Sequence, residues 1–414
     1  AFLSLAMRAV PAALVLMFAS CSLFPEKTAT LWTNRPEFAF YAEIFNAEQN
    51  EYRIEIEYRE YPGKAMEGAE TVPDLVIGEN LRSVSIIKYF ESLEGFIKRS
   101  GLPLQNIYPA LYETCLQEGN PVLLPVSFNL PALIFKENGS ADLDSFFLSL
   151  ESIMEQSKKF NAQSTRDFAV MGFSPRWEPE ILYIKTLLLG VDFHETSQGQ
   201  LAWNEQRLRD TVDYIRTWIR DVNGGPEKEQ EFTDKFLYDP GYKLISSGRI
   251  GFYYTTLRDF FGIPVEKRNE IDYRWIAKEG KIPVLEDILY MGIPKQARNK
   301  RAAQAFISWF LSEETQEKIM EQVQERRLRL FGIAEGFSSL QHINEQIFPR
   351  FYPDLVGHIP PAEYLKIPGS LPPEWKKMKE EVLLPWLIRE ASGTGTGESL
   401  DRDLKTWILQ KRGS

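Results

Sequence analysis

Apolar and polar positions along the chain follow two rhythms, short runs or alternations that predict strands and three-to-four-residue spacings that predict helices. Tyr52-Arg53-Ile54-Glu55-Ile56-Glu57-Tyr58 alternates strictly between apolar and charged residues, which predicts a strand with one wet face at a sheet edge. Pro73-Asp74-Leu75-Val76-Ile77-Gly78 is a continuous apolar run closing on glycine, as expected of a strand nearer the sheet centre. Thr28-Ala29-Thr30-Leu31-Trp32 reads as a buried first strand. Between these, Arg35-Pro36-Glu37 opens a helix, because a first-turn proline loses no hydrogen bond. Phe38, Ala42 and Phe45 then share one face. A helical segment is predicted from Val84 to Tyr89. Strand, helix, strand, strand, helix is the beginning of an open α/β sheet.

The second half repeats the architecture without repeating the sequence. Leu208, Val212, Ile215 and Ile219 mark an amphipathic helix that Asp221-Val222-Asn223-Gly224-Gly225-Pro226 stops. Ile181 to Leu189 reads as another helix and Arg249-Ile250-Gly251-Phe252-Tyr253 as a strand. Asn299 precedes a helix carrying Ala302, Ala305, Phe306, Trp309 and Phe310, and Ser312-Glu313-Glu314 starts the next. The proline- and aromatic-rich stretch Ile347 to Lys366 is expected to be irregular, and Gly393-Thr394-Gly395-Thr396-Gly397 to be a connector before a last helix near Leu404 to Leu409.

The run Val10 to Ser20 is apolar, too short to span a bilayer, and ends in small residues directly before Cys21. That is the layout of a bacterial lipoprotein signal, with residues 1–20 as the leader, Cys21 as the lipidated residue and 21–27 as a tether. Phe18 stands where such signals usually place leucine, and an ordinary secretory peptide is the competing reading. Met7-Arg8 would make a compact start to the signal. Either way the mature protein is expected outside the cytoplasm, periplasmic or otherwise extracytoplasmic.

Composition narrows the choices further. The chain has 414 residues, enough for two or three domains. Its 48 basic and 58 acidic residues leave no concentrated basic face for nucleic acid. With Cys21 given to lipid, Cys115 is unpaired and no disulfide framework is expected. His194, His342 and His358 lie far apart, without metal-ligand spacing, so neither a metal nor a cofactor is expected. A glycine-rich phosphate loop, a two-histidine helix and a readable Ser/His/Asp motif are all missing, which argues against an enzyme.

Three segments in order carry a resemblance. They are Leu124-Pro125-Val126-Ser127-Phe128-Asn129-Leu130-Pro131-Ala132-Leu133-Ile134-Phe135-Lys136, then Ile245-Ser246-Ser247-Gly248-Arg249-Ile250-Gly251-Phe252, then Leu289-Tyr290-Met291-Gly292-Ile293-Pro294-Lys295 with the helices from Asn299 and Thr315-Gln316. The ordering resembles the family-1 extracellular solute-binding proteins of ABC importers, of carbohydrate type, over nearly the whole mature chain. Phe135-Lys136 departs from that family's usual tyrosine-asparagine pair. The resemblance implies a type II-like fold of two α/β lobes, each an open, mostly parallel sheet flanked by helices. The lobes would be 28–127 with 291–325 and 128–290 with 326–414, crossing near Phe128 and Met291 and again beyond Glu325. It implies a monomer that closes about these crossings on a small carbohydrate or polyol and delivers it to an ABC permease. Its only membrane attachment would be the lipid on Cys21.

Sugars present apolar faces and hydroxyl rims, so a site for them needs flat rings and planar groups that bond two hydroxyls at once. Where the resembled family places its cleft loops, this chain has Trp32, Asn34 and Arg35, then Glu79, Asn80 and Arg82, then Ser127 and Asn129. Trp177 and Glu178 stand in a loop between Pro175 and Pro179, and Tyr254 and Arg258 at a strand end. Of Tyr253 and Tyr254, which face opposite ways on a strand, Tyr254 is expected in the cleft, and Trp375 is a further candidate. Against these stand ordinary roles: Trp32 as core, Glu79 and Asn80 as a helix cap, Arg82 as a surface ion pair, Trp177 as interlobe packing. The competing functions are a receptor repurposed for another solute and an extracellular carbohydrate-active enzyme.

Overall fold

The computed structural model describes residues 27–137, 146–163, 169–395 and 397–412, so the leader and Cys21 lie outside the described residues. Ten strands make two sheets: β1 (Lys27–Thr33), β2 (Tyr52–Tyr58), β3 (Leu75–Gly78), β4 (Leu124–Phe128), β5 (Pro131–Lys136), β6 (Phe147–Leu148), β7 (Phe252–Thr256), β8 (Ile271–Ile276), β9 (Leu289–Gly292) and β10 (Phe337–Ser338). The first sheet has the order β10-β4-β9-β3-β1-β2 and the second β7-β5-β8-β6. The alternating strand β2 is at the edge and the continuous strand β3 lies inside, as their patterns predict.

Strands β1, β2 and β3 pair in parallel, whereas β9 runs antiparallel to both β3 and β4. The chain leaves the first sheet at Phe128, enters the second at Pro131 and returns at Leu289, so the returning strand runs against the departing one. In the second sheet β5 is likewise antiparallel to β7 and β8, and only β8 with β6 is parallel.

The core is built lobe by lobe. In the first, Glu37–Glu48 and Lys300–Phe310 lie on β1 and β2, with Phe38, Tyr41, Phe45, Phe306 and Phe310 in ring-to-ring contact between them. Each such buried ring contributes about 1.5–3 kcal/mol. The start of Lys300–Phe310 is held by Asp74, whose carboxylate accepts from the backbone N–H groups of Arg298 and Asn299 at 2.8 and 2.7 Å and from that of Thr30 at 3.1 Å. One buried carboxylate thus binds the two residues that lead into that helix and fixes its start to β1. In the second lobe, Pro179–Leu188, Glu205–Asp221 and Leu384–Ala391 pack on one another. Cys115 is buried and unpaired, its thiol pushed up by burial. Among the described residues no helix is long and apolar enough to cross a membrane.

Three elements depart from the sequence reading. Val84 to Tyr89 forms only the single 3₁₀ turn Ile87–Tyr89, and the strand expected at Arg249–Tyr253 is displaced to Phe252–Thr256. The third crossing is also later than expected. Residues beyond Glu325 stay with the first sheet, since Phe337 pairs with Phe128 and the Ser339 N–H donates to the Val126 carbonyl at 3.0 Å. Phe331 and Tyr352 already pack on Phe261 of the second lobe, and from Asp354 and His358, which accept from Tyr273 and Trp275 of β8, the backbone itself is bonded to that lobe. A two-residue strand carries no alternation to read. What seats it is Gly336, where a Cβ would lie 2.6 Å from the Phe128 carbonyl oxygen.

Candidate functional site

A cavity of about 530 Å³ opens between the two sheets. From the first lobe it receives Arg35, just after β1, and Glu79 and Asn80, just after β3. Gly78 permits the close passage of Pro62, 2.5 Å from where a Cβ would be, and Asn80 turns the chain at φ 55°, a left-handed conformation that asparagine tolerates. The Arg35 guanidinium donates to Glu79 at 2.7 Å. Burial raises the Glu79 carboxyl above its ordinary range despite this partner. Burial alone would lower Arg35, but Glu79, Asp287 and Glu37 together raise it.

The second lobe supplies Glu178 and Glu180 at the start of Pro179–Leu188 and Tyr253 to Thr256 from the end of β7. It also supplies Arg258 and Asp259 from the helix Leu257–Gly262, which Thr256 caps by accepting from the Asp259 N–H. The Tyr253 hydroxyl donates to Glu178. Tyr253 and Tyr254 both border the cavity, so the expectation that only one would do so is corrected. Burial holds the phenols of both above their usual range.

Between the lobes, the second crossing brings Leu285, Glu286 and Asp287, and the C-terminal region brings Trp375, Lys376, Lys379 and Glu380. That last group sits where the helical segment from Trp375 to Ala391 widens into a π turn at Lys379–Leu383. Pro385 accounts for the widening. A regular helix would drive its ring into the Glu381 carbonyl and would need an N–H that proline lacks. Lys379 donates to Glu180 at 2.7 Å and also to Glu286. Burial raises Glu286 even against the opposing pull of Lys379, while the two carboxylates outweigh burial and raise Lys379.

A second cavity of about 340 Å³ shares Arg35, Glu79, Asn80, Lys376 and Glu380 with the first and adds Asn34, Tyr58 and Tyr61. The cleft therefore has two compartments with a common wall.

Of the residues singled out in the sequence, Glu79, Asn80, Glu178, Tyr254, Arg258 and Trp375 border the larger compartment and Asn34 the smaller. Trp32, Arg82, Ser127, Asn129 and Trp177 border neither compartment. Trp177 is covered within its own lobe, stacked on Phe232 at 5.7 Å and edge-on to Phe173 at 6.1 Å, so its ring is core and not a cavity wall. Trp32 lies across from Glu57 on β2 and donates to it at 3.0 Å, with the Arg59 guanidinium 4.7 Å over its ring. Asn129 stands one step behind the cavity and donates to Asp287 at 3.0 Å. Arg82 stacks on Tyr290 and donates to the Pro368 and Gly369 carbonyls. Glu180, Glu286, Asp287, Lys376, Lys379 and Glu380 were not anticipated. The usable signals were the Glu286-Asp287 pair just ahead of the return strand and the misplaced helix proline at Pro385.

No protein-family model matches the sequence, and no curated protein does. Comparison of folds finds many similar structures. The sugar-binding protein MalE from Xanthomonas citri aligns over 93% of this chain and 98% of its own, with TM-score 0.64 and 13% identity. An ABC substrate-binding protein from Listeria monocytogenes, solved in complex with cycloalternan, aligns over 94% and 100%, with TM-score 0.63 and 12% identity. A cyclic alpha-maltosyl-1,6-maltose binding protein from Arthrobacter globiformis aligns over 92% and 97%, with TM-score 0.62 and 15% identity. The chain has the two-lobed solute-binding fold. Many of its structural neighbours are sugar-binding proteins of ABC transporters, and they are binding proteins, not enzymes.

Proposed function

We propose that this protein is an extracytoplasmic receptor, anchored by lipid on Cys21, that captures a small carbohydrate or related polyol between its lobes and delivers it to an ABC permease. The observation that carries the reading is unmet hydrogen-bonding capacity around the cleft. Arg35 Nε, Asn34 Oδ1, Asp287 Oδ1 and Trp375 Nε1 are buried polar atoms without a protein partner. These residues border one or other compartment. Buried donors and acceptors left open cost free energy unless a ligand or water meets them, and hydroxyls can serve both kinds. Rings of Tyr242, Tyr253, Tyr254 and Trp375 border the same space and suit the apolar faces of a sugar. The fold supports the reading because its structural neighbours include receptors solved with oligosaccharides.

Native mass spectrometry of gently purified protein tests the ligand class. A non-covalent adduct of carbohydrate or polyol mass is expected, and an adduct of another class overturns the assignment. Fatty-acid labelling of wild type but not of Cys21→Ala is expected for the anchor, and equal labelling contradicts it.

A further inference from the structure

We infer that the solute carries a protonated amine, so that the ligand class is an amino sugar or amino polyol. The inference rests on the receptor reading above and deepens it. Among the described residues, seven carboxyl-bearing side chains border the larger compartment against four basic ones. The pairing within it sharpens that imbalance. Arg35 is taken by Glu79, Arg258 by its neighbour Asp259, and the single ammonium of Lys379 is divided between Glu180 and Glu286. That leaves one base, Lys376, against three carboxylates, Glu178, Asp287 and Glu380. Of these, Glu178 accepts from the Tyr253 hydroxyl, and Asp287 accepts from the Asn129 amide with its other oxygen buried and unmet.

The bases Arg35 and Lys379 are raised although burial alone would lower them, because the carboxylates around them set up a negative field that outweighs it. A ligand cation relieves that field, whereas an anionic sugar adds to it. A second, separate observation calls for oxygen on the same ligand. Arg35, which borders the compartment, keeps a buried Nε–H that has no acceptor. A hydroxyl or ring oxygen meets that donor. The rings of Tyr242 and Tyr253, part-exposed at the compartment, suit an ammonium as readily as C–H groups. One ligand with both an ammonium and oxygen acceptors answers both observations.

The test is calorimetric titration of the intact protein with three disaccharide probes: a glucosamine disaccharide, the same disaccharide N-acetylated, and a uronic-acid disaccharide. A charge-assisted hydrogen bond predicts that the amine binds about tenfold or more tighter than the acetylated form, with the acid weakest. In Glu178→Gln and Asp287→Asn, each keeping shape while removing one charge, the ratio of amine to acetylated affinity should fall toward one. Equal or reversed affinities in the wild type overturn the amine inference and leave the polyol reading standing. If no probe binds, both fall.

Discussion

The Asn129 amide donates to Asp287 at 3.0 Å, and through this contact the first crossing between the lobes touches the second. The Leu285 N–H adds a second tie, donating to the Asn129 carbonyl at 2.9 Å. Asp287 also borders the larger compartment, so one carboxylate belongs both to the ligand wall and to the place where the chain changes lobes. Whatever binds Asp287 acts directly on the joint. A ligand can shift the lobes only by its difference in affinity between arrangements, and contact with this residue supplies such a difference.

The lobes are also clasped away from the cavity. Glu195, in the second lobe, accepts from the Ser83 hydroxyl and the Val84 N–H, both at 3.0 Å, and those residues follow β3 of the first sheet. Ser370 donates to the same carboxylate at 3.0 Å. Glu195→Ala should therefore enlarge the unliganded radius of gyration in X-ray scattering and weaken ligand binding. An unchanged scattering curve together with unchanged affinity contradicts a role for this contact in lobe closure.

Trp177→Ala should cost stability instead of ligand contacts. Removing a ring stacked on Phe232 leaves a cavity worth about 3–5 kcal/mol in denaturant unfolding. The folded fraction should bind with wild-type affinity. A large affinity loss at unchanged stability would return Trp177 to the ligand wall.

Trp177 shows where the sequence was not legible. A tryptophan in a proline-bounded loop needs cover, but the covering ring, Phe232, is far along the chain and no local pattern points to it. Glu79 and Asn80 were readable because the loop after a strand of an open α/β sheet faces the crevice. Lys376, Lys379 and Glu380 were not, because a π turn shifts the helix face and the 3.6-residue period fails there. Strands β2 and β3 were read from their patterns, whereas β10 is two residues long and depends on contact with β4.

Lys379→Met should leave Glu286 buried beside Glu180 without its cation. Breaking a buried pair from one side costs on the order of 3 kcal/mol near neutral pH. The Glu286 carboxyl is raised in the folded protein, so its ionisation opposes folding as pH rises and its protonation relieves the strain as pH falls. The deficit of the variant should therefore shrink toward acid pH in urea titrations. A deficit independent of pH contradicts this account.

Lys185 gives a pH dependence of its own. Its side chain is fully buried, with Nζ 3.7 Å over the Trp218 ring and no hydrogen-bond partner. Burial lowers the amine to about 7, although Glu229 pulls the other way. Because the folded value lies below the unfolded one, the unfolded chain binds more protons between about 7 and 10.5, and stability rises with pH across that window. Lys185→Met removes the linkage and should flatten this part of the stability profile. Parallel profiles for wild type and variant from pH 7 to pH 10 would show that the amine is not buried in this way.

The most direct test of the central claim is calorimetric titration of wild type, Trp375→Ala and Arg35→Ala with neutral and amine-bearing mono- and disaccharides. The account predicts saturable one-site binding in the wild type, weakened by about 30-fold or more without the Trp375 ring and weakened again without Arg35. Failure of every sugar to bind at millimolar concentration contradicts it, as does a sugar that binds all three proteins equally.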